Sequence, residues 1–293
     1  MIEREIVGFE GKKLYGYLWN DCKEPRGVVM IIHGMQEHAT RYDEFAKFLN
    51  LHNYIAFASD LRGHGKTCGS VENQGHTDTD LFCEVVEDQK IIANYLMNEF
   101  GLPLVVLGHS FGSFVTQRFI QVCSLPTKAV IVGSAYTNTL EMRMAKALSA
   151  FLAKKNGLHS SGEVIENMSF KKYGKRFDNG NWLTRDTEKF DEYVLDQYCG
   201  KSFPIGFYKF MFANIVNNYK EIRRVSSSMP ILLVAGDCDP VGKNGKLVKK
   251  LYMVYKKADK NVQLKLYRGG RHEILNETNR KQVFEDILEF IEE

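Results

Sequence analysis

Leu104-Val105-Val106-Leu107-Gly108-His109-Ser110-Phe111-Gly112 is the stretch on which the reading of this chain turns. The four apolar residues read as a buried strand, and Ser113 to Ile120 as a helix. Between them, Gly108-His109-Ser110-Phe111-Gly112 has the G-x-S-x-G form of a nucleophile elbow, a tight strand-to-helix turn that leaves a serine hydroxyl exposed at the top of a sheet. Glycine stands two residues to either side of the serine because a side chain there collides with the neighbouring strand or helix. The five-residue pattern is unspecific in isolation. Its flanking strand and helix give it weight.

Outward from this turn, the chain repeats short apolar runs that end in glycine or a polar loop. They are Val28 to Ile32, Tyr54 to Ala58, Ala129 to Val132, Ile231 to Val234 and Val262 to Leu266. Runs buried on both faces and separated by helix-length segments predict a mostly parallel sheet covered by helices, hence an α/β fold. Leu81, Phe82, Val85, Val86, Gln89, Ile92, Ala93 and Leu96 fall at helical spacing, and Leu275 to Ile291 predicts a terminal helix. Upstream, Ile2-Arg4-Ile6 and Lys13-Tyr15-Tyr17-Trp19 alternate on either side of Phe9-Glu10-Gly11-Lys12, the pattern of an antiparallel hairpin.

One interval breaks the rhythm. Roughly ninety residues separate Val132 from Ile231, several times a usual connection in such folds. The gap carries helical patterns such as Met142 to Leu152 and an aromatic-rich stretch with Trp182, Phe203, Phe207, Tyr208, Phe210, Met211 and Phe212. It reads as a folded insertion, a cap sitting over the carboxyl ends of the strands, where open α/β sheets place their sites. Trp182, Phe207 and Met211 are the lid residues expected to line a substrate pocket.

Composition narrows the function. At 293 residues and 44% hydrophobic content the chain supports an ample core, and a formal charge of +3 makes no case for nucleic acid. The opening Met1-Ile2-Glu3-Arg4-Glu5-Ile6 is charged where a signal peptide is apolar, so the expected location is cytoplasmic. Six scattered cysteines without C-x-x-C pairs argue against a zinc site or a disulfide scaffold. No metal and no organic cofactor is expected. Lys154-Lys155, Lys171-Lys172 and Lys175-Arg176 tint the lid basic, which suits transient contact with an anionic lipid surface.

A serine hydroxyl needs a base to take its proton and an orienter for that base. In the elbow-bearing arrangement the acid follows the serine in sequence and the histidine comes last. Of eight histidines, His33, His38 and His64 lie upstream, His109 adjoins the serine on a tight turn, and His52, His76 and His159 lack a strand or turn that aims them. His272 follows the last predicted strand and precedes the terminal helix, which is where a base belongs. For the acid, Gly236-Asp237-Cys238-Asp239-Pro240 offers two carboxylates; Asp237 is nearer the strand and equally suits a turn residue capping its own backbone. A tetrahedral intermediate needs two backbone donors. The Phe111 N–H is one, and the Met35 N–H, in the loop His33-Gly34-Met35-Gln36-Glu37-His38 after the strand at Val28–Ile32, is the other.

These motifs, together with Arg41-Tyr42, Asp60-Leu61-Arg62-Gly63-His64-Gly65 and Arg271-His272-Glu273, resemble nearly end to end the α/β-hydrolases of the monoacylglycerol lipase and lysophospholipase type, often labelled serine aminopeptidase-like. The resemblance implies Ser110 as nucleophile, Asp239 rather than Asp237 as acid, His272 as base, Met35 and Phe111 as oxyanion donors, a structural role for Asp60 to Gly65, and residues 136–228 as a helical cap or lid inserted in a core of residues 1–135 and 229–293. Asn181-Trp182-Leu183-Thr184-Arg185-Asp186 is similar to bacterial members. The implied activity is hydrolysis of a monoacyl lipid ester through an acyl-enzyme. A peptidase or thioesterase uses the same triad, and a hydrolase-fold receptor uses none of it.

Overall fold

A computed structural model describes residues 1–168, 170–177 and 180–293, with the side chains of residues 170 and 171 outside the description. Among the described residues, eight strands form one sheet: β1 (Ile2–Val7), β2 (Lys13–Trp19), β3 (Gly27–Ile32), β4 (Tyr54–Ser59), β5 (Leu104–His109), β6 (Pro126–Val132), β7 (Ile231–Gly236) and β8 (Val262–Tyr267). Their order across the sheet is β1-β2-β4-β3-β5-β6-β7-β8. The first two form the expected hairpin, with Ile2 opposite Leu18 and Val7 opposite Lys13. β2 runs antiparallel to β4, and every later pairing is parallel. The fold is α/β, as the apolar runs predict.

Helices follow in chain order: α1 (Asp43–Leu51), α2 (Leu81–Phe100), α3 (Phe111–Val122), α4 (Leu140–Asn156), α5 (Glu163–Met168), α6 (Phe170–Gly174), α7 (Thr187–Leu195), α8 (Ile205–Ile215), α9 (Lys246–Lys257) and α10 (Arg280–Glu292). Side chains alternate across a strand, so the sheet feeds two cores. Val28, Met30 and Ile32 meet Phe82 and Val85 of α2 and Phe119 of α3 on one face. Val29 and Ile31 join Phe45 and Leu49 of α1 and Phe284 and Ile287 of α10 on the other. The chain leaves the sheet after β6 and returns at β7, and α4 to α8 lie between, as an inserted helical region. No helix among the described residues is long and apolar enough to cross a membrane.

The terminal helix begins later than its apolar pattern predicts. Ile274–Asn276 form a separate short 3-10 turn, Glu277 is extended (φ −79°, ψ 163°), and α10 starts at Arg280. The cause is the fully buried Glu277 carboxylate, which accepts the Arg271 N–H at 2.8 Å and Arg185 Nε at 2.9 Å and so holds the chain out of helical geometry.

The candidate site residues gather at the carboxyl ends of β3, β5, β7 and β8, the edge from which open α/β sheets present ligand-binding loops. The turn from β5 to α3 is the tightest of these junctions. Ser110 sits at φ 51°, ψ −116°, a strained setting for a residue with a side chain. A Cβ on Gly112 would lie 2.0 Å from the Ile32 carbonyl oxygen, and one on Gly108 2.3 Å from that of Gly112. Both clashes are with backbone, so neither relaxes by a rotamer change. Gly112→Ala is therefore expected to lower stability by about 3 kcal/mol or to prevent folding. Denaturant unfolding of the variant beside wild type checks this, and a loss under 1 kcal/mol contradicts it.

Candidate active site

Three side chains from three loops line up at the elbow. His272 Nε2 lies 2.8 Å from Ser110 Oγ, and His272 Nδ1 lies 3.0 Å from Asp239 Oδ2. Asp239 is fully buried, and its other oxygen accepts the Val241 N–H at 2.8 Å. A carboxylate on Nδ1 selects the tautomer whose Nε2 faces the serine with a lone pair. Such a row can pass the serine proton to the imidazole. Asp237 is elsewhere: its carboxylate accepts the Gly269 N–H at 2.7 Å and closes a turn between the β7 and β8 loops.

Met35 and Phe111 flank Ser110 in the wall of one cleft. Phe111 is the first residue of α3, so its N–H has no acceptor within the helix. The aim of the Met35 N–H follows from His33. That ring is fully buried, and burial pushes its pKa down to about 4, so it is neutral. Its Nε2 accepts the Leu61 N–H at 2.9 Å, which leaves the proton on Nδ1, 2.8 Å from the Gly34 carbonyl oxygen. The carbonyl end of the Gly34–Met35 peptide is thus held by His33, and the N–H end faces the opposite way.

Behind the row lies a buried ionic network. Arg41 forks onto Glu273 (2.8 and 2.7 Å) and also donates to Glu37 at 2.8 Å. Glu37 further accepts the Gly34 N–H (2.6 Å), the Tyr42 hydroxyl (2.9 Å) and His109 Nδ1 (3.0 Å). His109 Nε2 faces the His272 carbonyl oxygen at 3.3 Å. Both nitrogens of His109 thus face acceptors, which suits the imidazolium. Burial opposes that charge, but the Glu37 carboxylate outweighs burial and raises the His109 pKa above its ordinary 6.5. Burial likewise pushes Glu37 and Glu273 up, and the opposing charges, His109 and Arg41 for Glu37 and chiefly Arg41 for Glu273, hold both below 4.5. Two carboxylates face two cations.

The walls of the cleft include Phe114, Tyr136, Met142, Phe212 and Ile215. Two of the three residues of the inserted region singled out from sequence reach it. Trp182 sets its ring 5.0 Å from that of His272, and Met211 lines the wall. Phe207 does not: it is 1% exposed and lies behind Phe111, 5.1 Å between ring centroids, and against Phe203 at 4.8 Å. Its role is to back the Phe111 side chain. The segment from Asn181 grips the His272 loop, with Glu273 donating its N–H to the Leu183 carbonyl at 2.7 Å and Arg271 reaching the Asn181 and Thr184 carbonyls.

His38, Asp196 and Cys199 offer ligand atoms within 4.8 Å of one another, a group the scattered cysteines do not foretell. Both His38 nitrogens are already engaged, by Asp196 at 2.8 Å and Thr40 at 2.9 Å, and the Arg41 charge acts on Cys199. That setting leaves His38 no free lone pair for a metal ion. Sequence reasoning missed the ionic network. The four-residue spacing of Glu37 and Arg41 signals one of its links, whereas Glu273, 232 positions from Arg41, gives no local sign.

Arg41→Met leaves two buried carboxylates short of a partner and is expected to cost about 3–5 kcal/mol, measured by chemical denaturation. The pH dependence follows from the directions of the shifts. The lowered carboxylates contribute fully above pH 4.5 and lose their effect as pH falls through their folded values. The raised His109 contributes fully below pH 6.5 and loses its effect as pH rises through its folded value. The Tm gap between wild type and His109→Asn is therefore expected to be widest between those limits and to narrow toward alkaline pH. A gap independent of pH contradicts the charge on His109.

Comparison with known proteins places the chain in a family. The sequence pattern of the family described as serine aminopeptidase, S33, matches residues 23–279. A monoacylglycerol lipase of Mycolicibacterium smegmatis is 28% identical over 295 residues, covering 99% of this chain and 96% of that protein. The phospholipase YtpA of Bacillus subtilis is 24% identical, covering 92% and 96%. Among solved structures, a thermostable carboxyl esterase from Bacillus coagulans in complex with glycerol superposes with a TM-score of 0.90 at 23% identity, covering 99% of this chain and 97% of that one. A soluble variant of the monoglyceride lipase of Saccharomyces cerevisiae follows the same fold, with a TM-score of 0.79 at 20% identity over 99% and 94% of the two chains. Together these relatives support an ester-hydrolysing α/β-hydrolase, and the chain belongs to the serine aminopeptidase, S33, family of that fold.

Proposed function

We propose that this protein hydrolyses carboxylic esters through an acyl-enzyme, with a monoacyl lipid such as a monoacylglycerol or lysophospholipid as substrate. The observation that carries the reading is the Ser110–His272–Asp239 row opening into an apolar cleft walled in part by the inserted helices. Ser110 attacks the carbonyl carbon as His272 takes its proton, and the oxyanion is met by the Met35 and Phe111 amides. His272 then returns the proton to the leaving alcohol. Water repeats the sequence and frees the acid. Residues 136–228 act as a cap in this scheme, with Trp182 and Met211 in its lining.

A specific observation favours this reading over an aminopeptidase, which needs a free anion for the substrate ammonium. Among the described residues, the acidic groups lining the cleft are Glu37 and Glu273, and both are already paired with Arg41. Apolar walls instead favour an acyl chain, at about 0.8 kcal/mol per buried methylene.

The exposed face of α4 supports a second element, contact with an anionic lipid surface. Leu140, Met144 and Phe151 project into solvent at helical spacing, 72, 63 and 60% exposed, beside Arg143, Lys154 and Lys155. Lys172, Lys175 and Arg176 extend the basic tint, and the Lys171 side chain lies outside the described residues.

Hydrolysis of p-nitrophenyl and monoacylglycerol esters of graded chain length is the first test. kcat/KM is expected to rise about threefold to fourfold per methylene until the cleft is full. Ser110→Ala and Asp239→Asn are each expected to lower kcat by about 10⁴-fold, while Asp237→Asn stays within about tenfold of wild type. Faster turnover of matched amides or thioesters than of esters overturns the substrate class. Phe151→Ser is expected to weaken sedimentation with anionic vesicles several-fold; binding that ignores both this change and salt contradicts the surface contact.

A further inference from the structure

Gln36, next to Met35, has backbone φ 58°, in the left-handed region that side-chain-bearing residues avoid. Such a conformation persists only where surrounding contacts hold it. Those contacts come from the inserted region. Gln36 Nε2 donates to Glu166 Oε1 of α5 at 2.8 Å and approaches the Tyr208 hydroxyl of α8 at 3.4 Å. The Gln36 carbonyl accepts the Gly200 N–H, from the turn after α7, at 3.1 Å.

Glu166 is itself built in. It is 7% exposed, and the oxygen that meets Gln36 also accepts the Phe203 N–H at 3.2 Å and the Tyr208 hydroxyl. A carboxylate buried this deeply at an interface between helices binds them at a defined separation. The Met35 amide thus lies between two restraints. On one side, His33 and Glu37 of the core fix Gly34; on the other, the inserted helices fix Gln36.

We propose that Gln36 is a positioning residue, through which Glu166 of the inserted region holds the Met35 N–H where the oxyanion forms. The inference rests on the hydrolase reading above and adds to it a dependence of the chemical step on the seating of the inserted helices. When they are seated, the donor pair is complete. When they lift, the Gln36 side chain loses its partner, the backbone is free to leave φ 58°, and the adjoining amide loses its aim. Acylation is then confined to molecules whose inserted region is closed over the substrate.

The test uses the full chain, with Gln36→Ala, Gln36→Gly, Glu166→Leu and the conservative Glu166→Gln. A long-chain alkyl trifluoromethyl ketone serves as a probe: Ser110 Oγ adds to its carbonyl carbon, the serine proton passes to His272, and the ketone oxygen becomes the anion that the two amides must hold. An alkyl ether of the same length, which forms no oxyanion, reports cleft binding alone. Gln36→Ala, Gln36→Gly and Glu166→Leu are expected to lower kcat and ketone affinity together by about tenfold, a fraction of the loss from deleting an oxyanion donor outright. KM and ether affinity should stay within about twofold, and Glu166→Gln, which keeps an acceptor, should recover most of the loss. Should Glu166→Leu fail to fold, the two Gln36 variants decide alone, and Gln36→Gly tests the clasp without backbone strain. Folded variants with unchanged kcat and ketone affinity overturn the proposal, as does a raised KM at constant kcat, which makes Gln36 a plain substrate contact. A wild-type protein that neither cleaves esters nor takes the ketone overturns the hydrolase reading itself.

Discussion

The Arg41 guanidinium joins the loop after β3 to the loop after β8 across 232 positions of sequence, and the site between those loops takes its dimensions from that bond. Its fork onto Glu273 sits one residue from His272, and its contact with Glu37 sits two residues from Met35. A bidentate guanidinium–carboxylate pair fixes orientation as well as distance. Burial makes the arrangement demanding, because ions removed from water need full compensation. His109 meets Glu37 and, through its contact with the His272 carbonyl, carries the restraint from the Ser110 turn to His272.

Much of the fold is legible in the sequence for a physical reason. Strands buried on both faces must be apolar along their whole length, so β3 to β7 announce themselves as runs such as Val28 to Ile32 and Ile231 to Val234. The elbow is legible because close backbone approach admits only glycine at 108 and 112. Legibility ends where long-range contacts override a local pattern. Leu275 carries a helical apolar pattern, yet Glu277 is drawn to Arg185 and α10 starts at Arg280. Phe207 and Met211 share a helix and an aromatic-rich neighbourhood, and only tertiary packing turns one toward Phe111 and the other toward the cleft. The choice between Asp237 and Asp239 is of the same kind. Both suit a turn, and the partner that distinguishes them arrives from the β8 loop.

The neutral histidines show how one residue type serves opposite ends in a small volume. His33 and His64 are buried without a compensating anion at contact distance, and burial drives their pKa values down to about 4 and about 3. His109, equally buried, meets a carboxylate and is raised instead. Burial alone therefore does not set the charge. The neutral ring can accept as well as donate, and His33 uses both capacities to hold two loops at once; the charged ring can only donate, and His109 faces two acceptors.

The order of strands has a kinetic meaning. The loops bearing Met35, Ser110, Asp239 and His272 are far apart in sequence and meet only when β3, β5, β7 and β8 lie in one sheet. Parallel neighbours of this kind close long loops before any contact rewards them, which makes assembly slow compared with local helix formation. The inserted helices add a further loop between β6 and β7 that must be spanned before β7 can dock. The geometry at Ser110 thus exists only once those strands are paired, and a chain with its helices formed but its sheet incomplete would hold the residues of the site without the site.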